Sequence, residues 1–394
     1  MSQSAIPRSV ARPPFWRDVR VLTILGQVVF VFVVALIAAW LYGNVTSGMR
    51  RIGIGGGYRF MNQTAGFEIG VTPIAYSPND SYWRAFLVGL FNTLSVTIIG
   101  IILATILGVI VGVAQLSSNW LIARIAQTYV AIFRNTPLLV QLFFWYLAIF
   151  LQMPRVQQAI ALPGPIYLSN RGVAMIGVVG TQTLQLWLAF LLGGLIAALA
   201  TSYGLKRRQV MTGRSSPRLL IALAMILVAA GLGWLLVGAP LTVTAPVRRG
   251  FNFQGGVQVS PEYAALLVGL VIYTGTFIAE NVRAGIQGIP QGQKEAARAL
   301  GLSAGQSMRL VILPQALRII IPPTTSQYLN LAKNSSLAIA IGFPDLFNVA
   351  RTISNQTGQV VQMIGLIMFS YLAISLTTSL LMNLYNRRVR LVER

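Results

Sequence analysis

Long apolar runs alternate with short polar breaks along this chain, and eight of the runs are long enough to cross a bilayer. A helix needs about 20 apolar residues to span the hydrocarbon core. The runs fall at roughly 21–43, 86–115, 125–151, 179–203, 218–238, 263–286, 316–342 and 361–385. They predict an all-α fold, a polytopic membrane helical bundle of about eight transmembrane helices. The run 86–115 is long, so its start lies in the interface or the span tilts. Two breaks read as loops: 44–80, with Gly53, Gly55, Gly56, Gly57, Pro73 and Pro78, and 153–171, with Pro154, Pro163 and Pro165. The glycine run does not fit GxGxxG, so it predicts a plain loop rather than a nucleotide cradle.

One break is different. Gln291–Pro314, QGQKEAARALGLSAGQSMRLVILP, is polar yet helix-prone. Lys294–Leu300 is built of strong helix formers. Gly301 can take the left-handed conformation that stops a helix. Ser303 followed by Gln306 matches a capping box that starts a second helix, which Pro314 is expected to end. The small residues Ala296, Ala297 and Ala299 predict a slim first helix able to enter a groove, with Lys294, Glu295 and Arg298 at its rim. An ordinary amphipathic helix lying on the bilayer would explain the charges, but not the alanines or the spacing of Gly301 and Leu313-Pro314.

Composition agrees with a membrane protein. Apolar residues make up 55% of the chain and charged residues 10%, with a mean hydropathy of +0.69, whereas soluble domains carry about 25% charge. The net charge of +22 is not a nucleic-acid footprint, because the basic residues cluster at the ends of apolar spans. With the N-terminus in the cytoplasm, most of them fall inside: the N-tail arginines, Arg124, the group from Lys206 to Arg218, Arg283, Lys294, Arg298, Arg309, Arg318, and the C-terminal arginines. The positive-inside rule therefore predicts both termini in the cytoplasm, with 291–314 beside them. No cleavable signal is expected, because the first apolar run exceeds the about 7–15 residues of a signal core. Absence of cysteine and histidine excludes disulfides, thiolate catalysis and His-ligated metals. Paired carboxylates at catalytic spacing are also missing, which argues against a membrane enzyme. None of the lysines Lys206, Lys294 and Lys333 follows a glycine, so no Walker A motif is present.

Glu295, Ala296, Ala297, Gly301 and Leu313-Pro314 stand at the spacing of the EAA loop, and the segment resembles that loop in the membrane subunits of binding-protein-dependent ABC importers. Val311 departs from it, where the family often has Ile. Tyr129–Gln141, YVAIFRNTPLLVQ, resembles a segment of the polar amino acid permease family, in which Gly is commoner than Asn135. Tyr273–Ile286 and Lys333–Leu337 resemble further spans of that family. The resemblance covers roughly 86–150 and 261–386. It implies a type I importer permease core with a cytoplasmic coupling helix, in the bacterial cytoplasmic (inner) membrane.

The implied organisation is a cytoplasmic N-tail (1–20), an extra first span (21–43), a periplasmic loop (44–85), a first core segment (86–152), an insertion with two extra spans (153–260), a second core segment with the EAA loop (261–386) and a cytoplasmic tail (387–394). This layout is similar to the larger permease of general L-amino-acid, or glutamate/glutamine/aspartate/asparagine, importers. The implied partners are ABC ATPase subunits on the EAA loop, a second homologous permease, a periplasmic amino-acid-binding protein and the amino acid itself. ATP and Mg would reside in the ATPase, and this chain would hold no cofactor.

Ionisable side chains inside spans are costly and mark pathways or pairs. Arg134 with Asn135 and Thr136, Glu280 with Arg283, and Lys333 with Asn334 and Ser335 are the candidates for a substrate path. Two readings are open. Glu280 pairs with Arg283 along its own helix while the cations meet backbone carbonyls, or the group lines a path for a zwitterion. Gly100, Ala104, Gly108 and Gly112 put small residues on one helix face, for packing within the bundle or against another subunit. A secondary transporter driven by an ion gradient is the competing function. It would need no EAA loop and usually shows repeated halves, which are not evident here.

Overall fold

The computed structural model describes residue 16 and residues 19–51, 55, 57–213 and 216–389. The expected N-tail, and the C-tail beyond 389, lie largely outside them. The helices are α1 (Val19–Arg51), α2 (Tyr82–Ala114), α3 (Trp120–Asn135), α4 (Leu138–Phe143), α5 (Leu184–Thr212), α6 (Arg218–Val237), α7 (Pro261–Gln287), α8 (Gln291–Ala299), α9 (Ala304–Ser307), α10 (Leu313–Asn334), α11 (Leu346–Thr357) and α12 (Val360–Val389). Six of them are long and apolar enough to cross a membrane, and the bent pair formed by α3 with Leu138–Phe150 adds a seventh candidate. The remaining expected span, 316–342, corresponds to α10 and a 3-10 stretch Ser335–Ile341.

Helix α7 is the centre of the bundle. Its most apolar window is 56% buried, the largest share among the candidate spans. It starts where Ser260 accepts a hydrogen bond from the Tyr263 N–H, with Pro261 in its first turn. Helix α2, capped by Ser81, packs along it. The small residues of α2 make that approach possible. A Cβ on Gly108 would lie 2.6 Å from Ile278, and one on Gly112 would lie 2.7 Å from Val282. The stripe therefore serves packing within this chain. Helices α10 and α3 pack on other sides of α7.

The expected continuous span 125–151 is broken. The chain turns by 103° between α3 and α4. Pro137 has no N–H to donate and excludes helical geometry at Thr136, which is extended at φ −93°, ψ 125°. The Gln141 side chain compensates, its Nε2 donating to the carbonyls of Phe133 at 2.8 Å and Thr136 at 3.0 Å. A π-helical stretch, Phe144–Phe150, then continues α4.

The loop readings also change. α1 runs on to Arg51 rather than ending near 43. Residues 59–80 are a loop as expected apart from a 3-10 turn, Arg59–Asn62, but four of its residues are buried: Phe60, Met61, Ala65 and Ile69 form a second core cluster with Ala85, Phe86, Leu346, Val349, Ile353 and Met363. The 153–171 region holds strands. β1 (Ile160–Leu162), β2 (Ile166–Ser169), β3 (Gly172–Met175) and, from beyond α6, β8 (Val257–Val259) make an antiparallel sheet in the order β1-β2-β3-β8. β4 (Gly177–Gly180) pairs with β5 (Leu241–Thr244), and β6 (Val247–Arg249) pairs with β7 (Asn252–Gln254). The helical class stands, with this small β cap built from strands between Ile160 and Val259. Strands of three and four residues are too short for alternation to be read in the sequence.

α5 and α6 pack chiefly on each other, and α1 is almost wholly exposed among the described residues. Such apolar surfaces suit lipid contact. The open groove between α5 and α6, about 790 Å³, is lined by Ala, Gly and larger apolar residues and carries no charge.

Candidate coupling loop and polar cavity

The polar loop after α7 folds as two helical pieces. α8 ends in a Schellman arrangement: the Leu302 N–H donates to the Ala297 carbonyl at 3.1 Å, the Gly301 N–H donates to the Arg298 carbonyl at 2.9 Å, and Gly301 takes φ +74°. The expected capping box is present. The Gln306 N–H donates to Ser303 Oγ at 3.4 Å, and the Ser303 N–H donates to Gln306 Oε1 at 2.9 Å.

Pro314 does not end the second helix. α9 passes through a π turn, Met308–Ile312, directly into α10, and Pro314 lies in the first turn of α10. The π turn widens the ladder just ahead of the proline, where its missing N–H and its ring clash with a preceding carbonyl would otherwise break it.

The loop residues divide by exposure. Glu295 and Ala296 are exposed, while Ala297 is buried against its own chain. Its lack of bulk lets α8 lie on the π turn that follows. Leu313 is exposed and Pro314 half-buried. Leu300, at the turn, is 80% exposed. The motif spacing does not single it out, although a leucine flanking a helix-stopping glycine is the available signal.

A second polar feature lies where α2, α3 and α7 meet. Arg134, Asn135, Glu280 and Arg283 line a cavity of about 480 Å³, with the amides of Gln115, Gln127 and Gln287. Glu280 holds the centre. Arg283 Nη2 donates to its Oε2 at 2.8 Å, and Arg134 Nη1 lies 3.9 Å from the same oxygen. Arg134 also sits over the Phe277 ring, 5.6 Å from its centroid. Arg283 extends further, donating to Gln287 Oε1 at 2.7 Å. Gln115 is 7% exposed, and its buried Nε2 has no hydrogen-bond partner. Two guanidiniums against one carboxylate leave the cavity with one net positive charge and several spare amide donors.

The 103° break makes this cavity. It ends α3 beside Glu280, so the arginine on its last turn reaches across to α7. Gln127, Val130, Ala131 and Arg134 line the cavity at helical spacing on α3, as do Glu280, Arg283 and Gln287 on α7. That periodicity is the signal from which Gln127 and Gln287 were available; Gln115, which follows α2, has no such signal.

The structure does not bring every candidate here. Thr136 turns back to donate to the Ile132 carbonyl at 2.8 Å. Lys333 is exposed and Asn334 half-buried at the end of α10. Neither lines the cavity. Ser335 is fully buried and donates to the Ala332 carbonyl at 2.8 Å. It lies beside Tyr371, whose hydroxyl is 3.4 Å from the buried Asp345. Asp345 caps α11 through the Asn348 N–H at 2.8 Å, and Thr93 accepts from the Leu346 N–H at 3.0 Å. This second cluster joins α2, α11 and α12.

Comparison with known proteins agrees with this architecture. Residues 104–391 match the family model of the binding-protein-dependent transport system inner membrane component. The chain is 46% identical to the putative amino-acid ABC transporter permease protein YhdX of Escherichia coli (strain K12), over 94% of each chain. It is 43% identical to the general L-amino acid transport system permease protein AapQ of Rhizobium johnstonii, over 98% of this chain and 96% of that one. It is 40% identical to the glutamate/glutamine/aspartate/asparagine transport system permease protein BztB of Rhodobacter capsulatus, over 95% of each. The apolar bundle, the capped polar loop and these full-length matches place the chain in the family of binding-protein-dependent transport system inner membrane components, the multi-pass permease subunits of ABC importers whose ATPase is a separate subunit.

Proposed function

We propose that this permease subunit passes amino acids into the cytoplasm and that the cavity between α3 and α7 lies on their path. The carrying observation is the convergence of Arg134, Glu280 and Arg283 at a helix break, with the buried amide of Gln115 and the exposed amides of Gln127, Asn135 and Gln287 beside them. An amino acid carries a carboxylate and an ammonium. Arg134, the more loosely paired cation, receives the carboxylate, and Glu280 receives the ammonium. Asn135, Gln115 and Gln127 supply hydrogen bonds to a polar side chain. Relatives named for general L-amino acids and for glutamate, glutamine, aspartate and asparagine support a broad or acidic-and-amide substrate range.

In this reading both chain ends and the loop 291–314 face the cytoplasm, as the distribution of basic residues argues. Glu295, Ala296 and Leu300 contact the ATPase, while Ala297, Gly301, Leu313 and Pro314 shape the loop. A second, homologous permease completes the path, and a soluble binding protein delivers the substrate from outside. Nucleotide shifts the pair between inward- and outward-facing states by binding one of them better.

Uptake by the complete complex in proteoliposomes tests the path. With ATP trapped on the ATPase side and ion gradients collapsed, uptake of labelled glutamate should persist. Persistence would set aside the gradient-driven alternative. Arg134→Gln and Glu280→Gln should each lower uptake by about tenfold or more, with the assembled complex recovered in normal yield. Unchanged uptake in both variants would remove the cavity from the path.

A further inference from the structure

The β cap carries a feature that the transport path does not use. Strands β6 and β7 form a hairpin closed by a two-residue turn, Gly250-Phe251, with Arg249 opposite Asn252. Gly250 has φ +60°, the positive value that tight hairpin turns require. Phe251 stands at the tip and is 78% exposed. The hairpin is tied to the rest of the cap by several contacts. Phe253 is buried and stacks on Tyr167 at 5.3 Å, and the Arg248 guanidinium covers the other reach of that ring at 4.9 Å. Gln258 donates to the Phe253 carbonyl at 2.6 Å, and Gln157 donates to the Gly250 carbonyl at 3.4 Å.

The charged residues of the cap itself have one sign. Arg155, Arg171, Arg248 and Arg249 are all exposed in the cap, and no acidic residue occurs between Asp80 and Glu262. An exposed aromatic at a hairpin tip, with Arg248 and Arg249 in the strand that leads to it, has the composition of a protein-binding hot spot. The cap is also attached to the core rather than to the peripheral helices alone: β8 leads into Ser260, the cap of α7. By contrast β4–β5 adjoins the ends of α5 and α6 and exposes Val178, Val179 and Val243, a surface suited to the bilayer.

We propose that the β6–β7 hairpin is a docking surface for an acidic face of the soluble binding protein, with Phe251 as its apolar anchor and Arg249 as its main charged contact. This rests on the orientation given under the proposed function, which places the cap outside.

Three measurements on the complete complex decide it. Phe251→Cys adds a single thiol to a chain without cysteine. A membrane-impermeant maleimide should label it on intact spheroplasts. Failure to label there, with labelling after lysis, overturns the orientation and this docking surface together. Labelling from outside leaves the docking surface to the binding assay.

In nanodiscs, Phe251→Ala and Arg249→Glu should each weaken binding-protein affinity by about tenfold. Arg249→Glu should also flatten the salt dependence, and ATP hydrolysis without binding protein should stay at the wild-type rate. Affinities within twofold of wild type for both variants overturn the proposal while leaving the transport reading intact. A photo-crosslinker at position 251 should trap the binding protein; adducts to lipid alone would show a bilayer anchor instead and overturn it.

Discussion

Gln141 shows how one side chain stabilises a break in a membrane helix. Pro137 has no N–H, so the carbonyl one turn before it loses its helical donor. The Gln141 Nε2 donates to the Phe133 and Thr136 carbonyls, at 2.8 Å and 3.0 Å, and the residue is buried. Replacing it with leucine keeps the volume and orphans the Phe133 and Thr136 carbonyls. A buried unsatisfied polar group costs about 1–3 kcal/mol. Gln141→Leu should therefore lower the thermal midpoint of the purified complex. It should also lower uptake, because the break positions Arg134 against Glu280. A midpoint equal to wild type would mean that those carbonyls find other donors. Residue-level chemistry is only partly legible in the sequence: Arg134 and Glu280 stand out as ionisable groups within apolar runs, and Glu280–Arg283 pairs as its spacing implies. Gln141 and Gln115 do not stand out, because amides are ordinary at the ends of spans and their role depends on a bend. Lys333, Asn334 and Ser335 look equivalent to Arg134 in the sequence, yet the end of α10 takes them elsewhere.

At the scale of elements, composition locates the helices well and their directions poorly. The run 125–151 passes a hydropathy test as one span, but Pro137 turns it by 103°. Hydropathy sums over a window and carries no information about direction. Pro314 misleads in the opposite sense: a π turn ahead of it lets the helix continue. The coupling loop is legible because its signals are local, namely a glycine stop and a capping box. Its exposed face is not, because which alanine turns inward depends on packing. That distinction changes the mutation to choose. Ala297→Arg would force a long cation into the chain's own interior and confound docking with folding. Leu300→Glu alters a side chain that is 80% exposed. Leu300→Glu should leave the permease folded and monodisperse but reduce recovery of its ATPase by about tenfold, read by quantitative co-purification in mild detergent. Undiminished recovery would move the contact away from this turn.

The whole molecule is a core with attachments. The two main core clusters draw on α2, the broken α3–α4 segment, α7, α10, α11, α12 and the packed loop 59–69, and include no residue between 176 and 256. That interval holds the α5–α6 hairpin and four strands of the cap. Its ends are adjacent, since Met175 pairs with Val257 across β3 and β8. Residues 176–256 can therefore be replaced by a two-residue Asn-Gly turn, the preferred connection for neighbouring antiparallel strands. The excised form loses Phe253 from the small cluster around Tyr167 but nothing from the two main clusters. It should insert in the membrane, stay monodisperse and recover its ATPase at the wild-type ratio, since the coupling loop lies on a separate segment. Stimulation by binding protein should fall together with the hairpin. Size-exclusion chromatography, co-purification and ATPase assays on one preparation separate these outcomes. Aggregation of the excised form would show that α5 and α6 support the core through contacts weaker than those that define its clusters. Normal stimulation without the hairpin would place binding-protein recognition on the core alone.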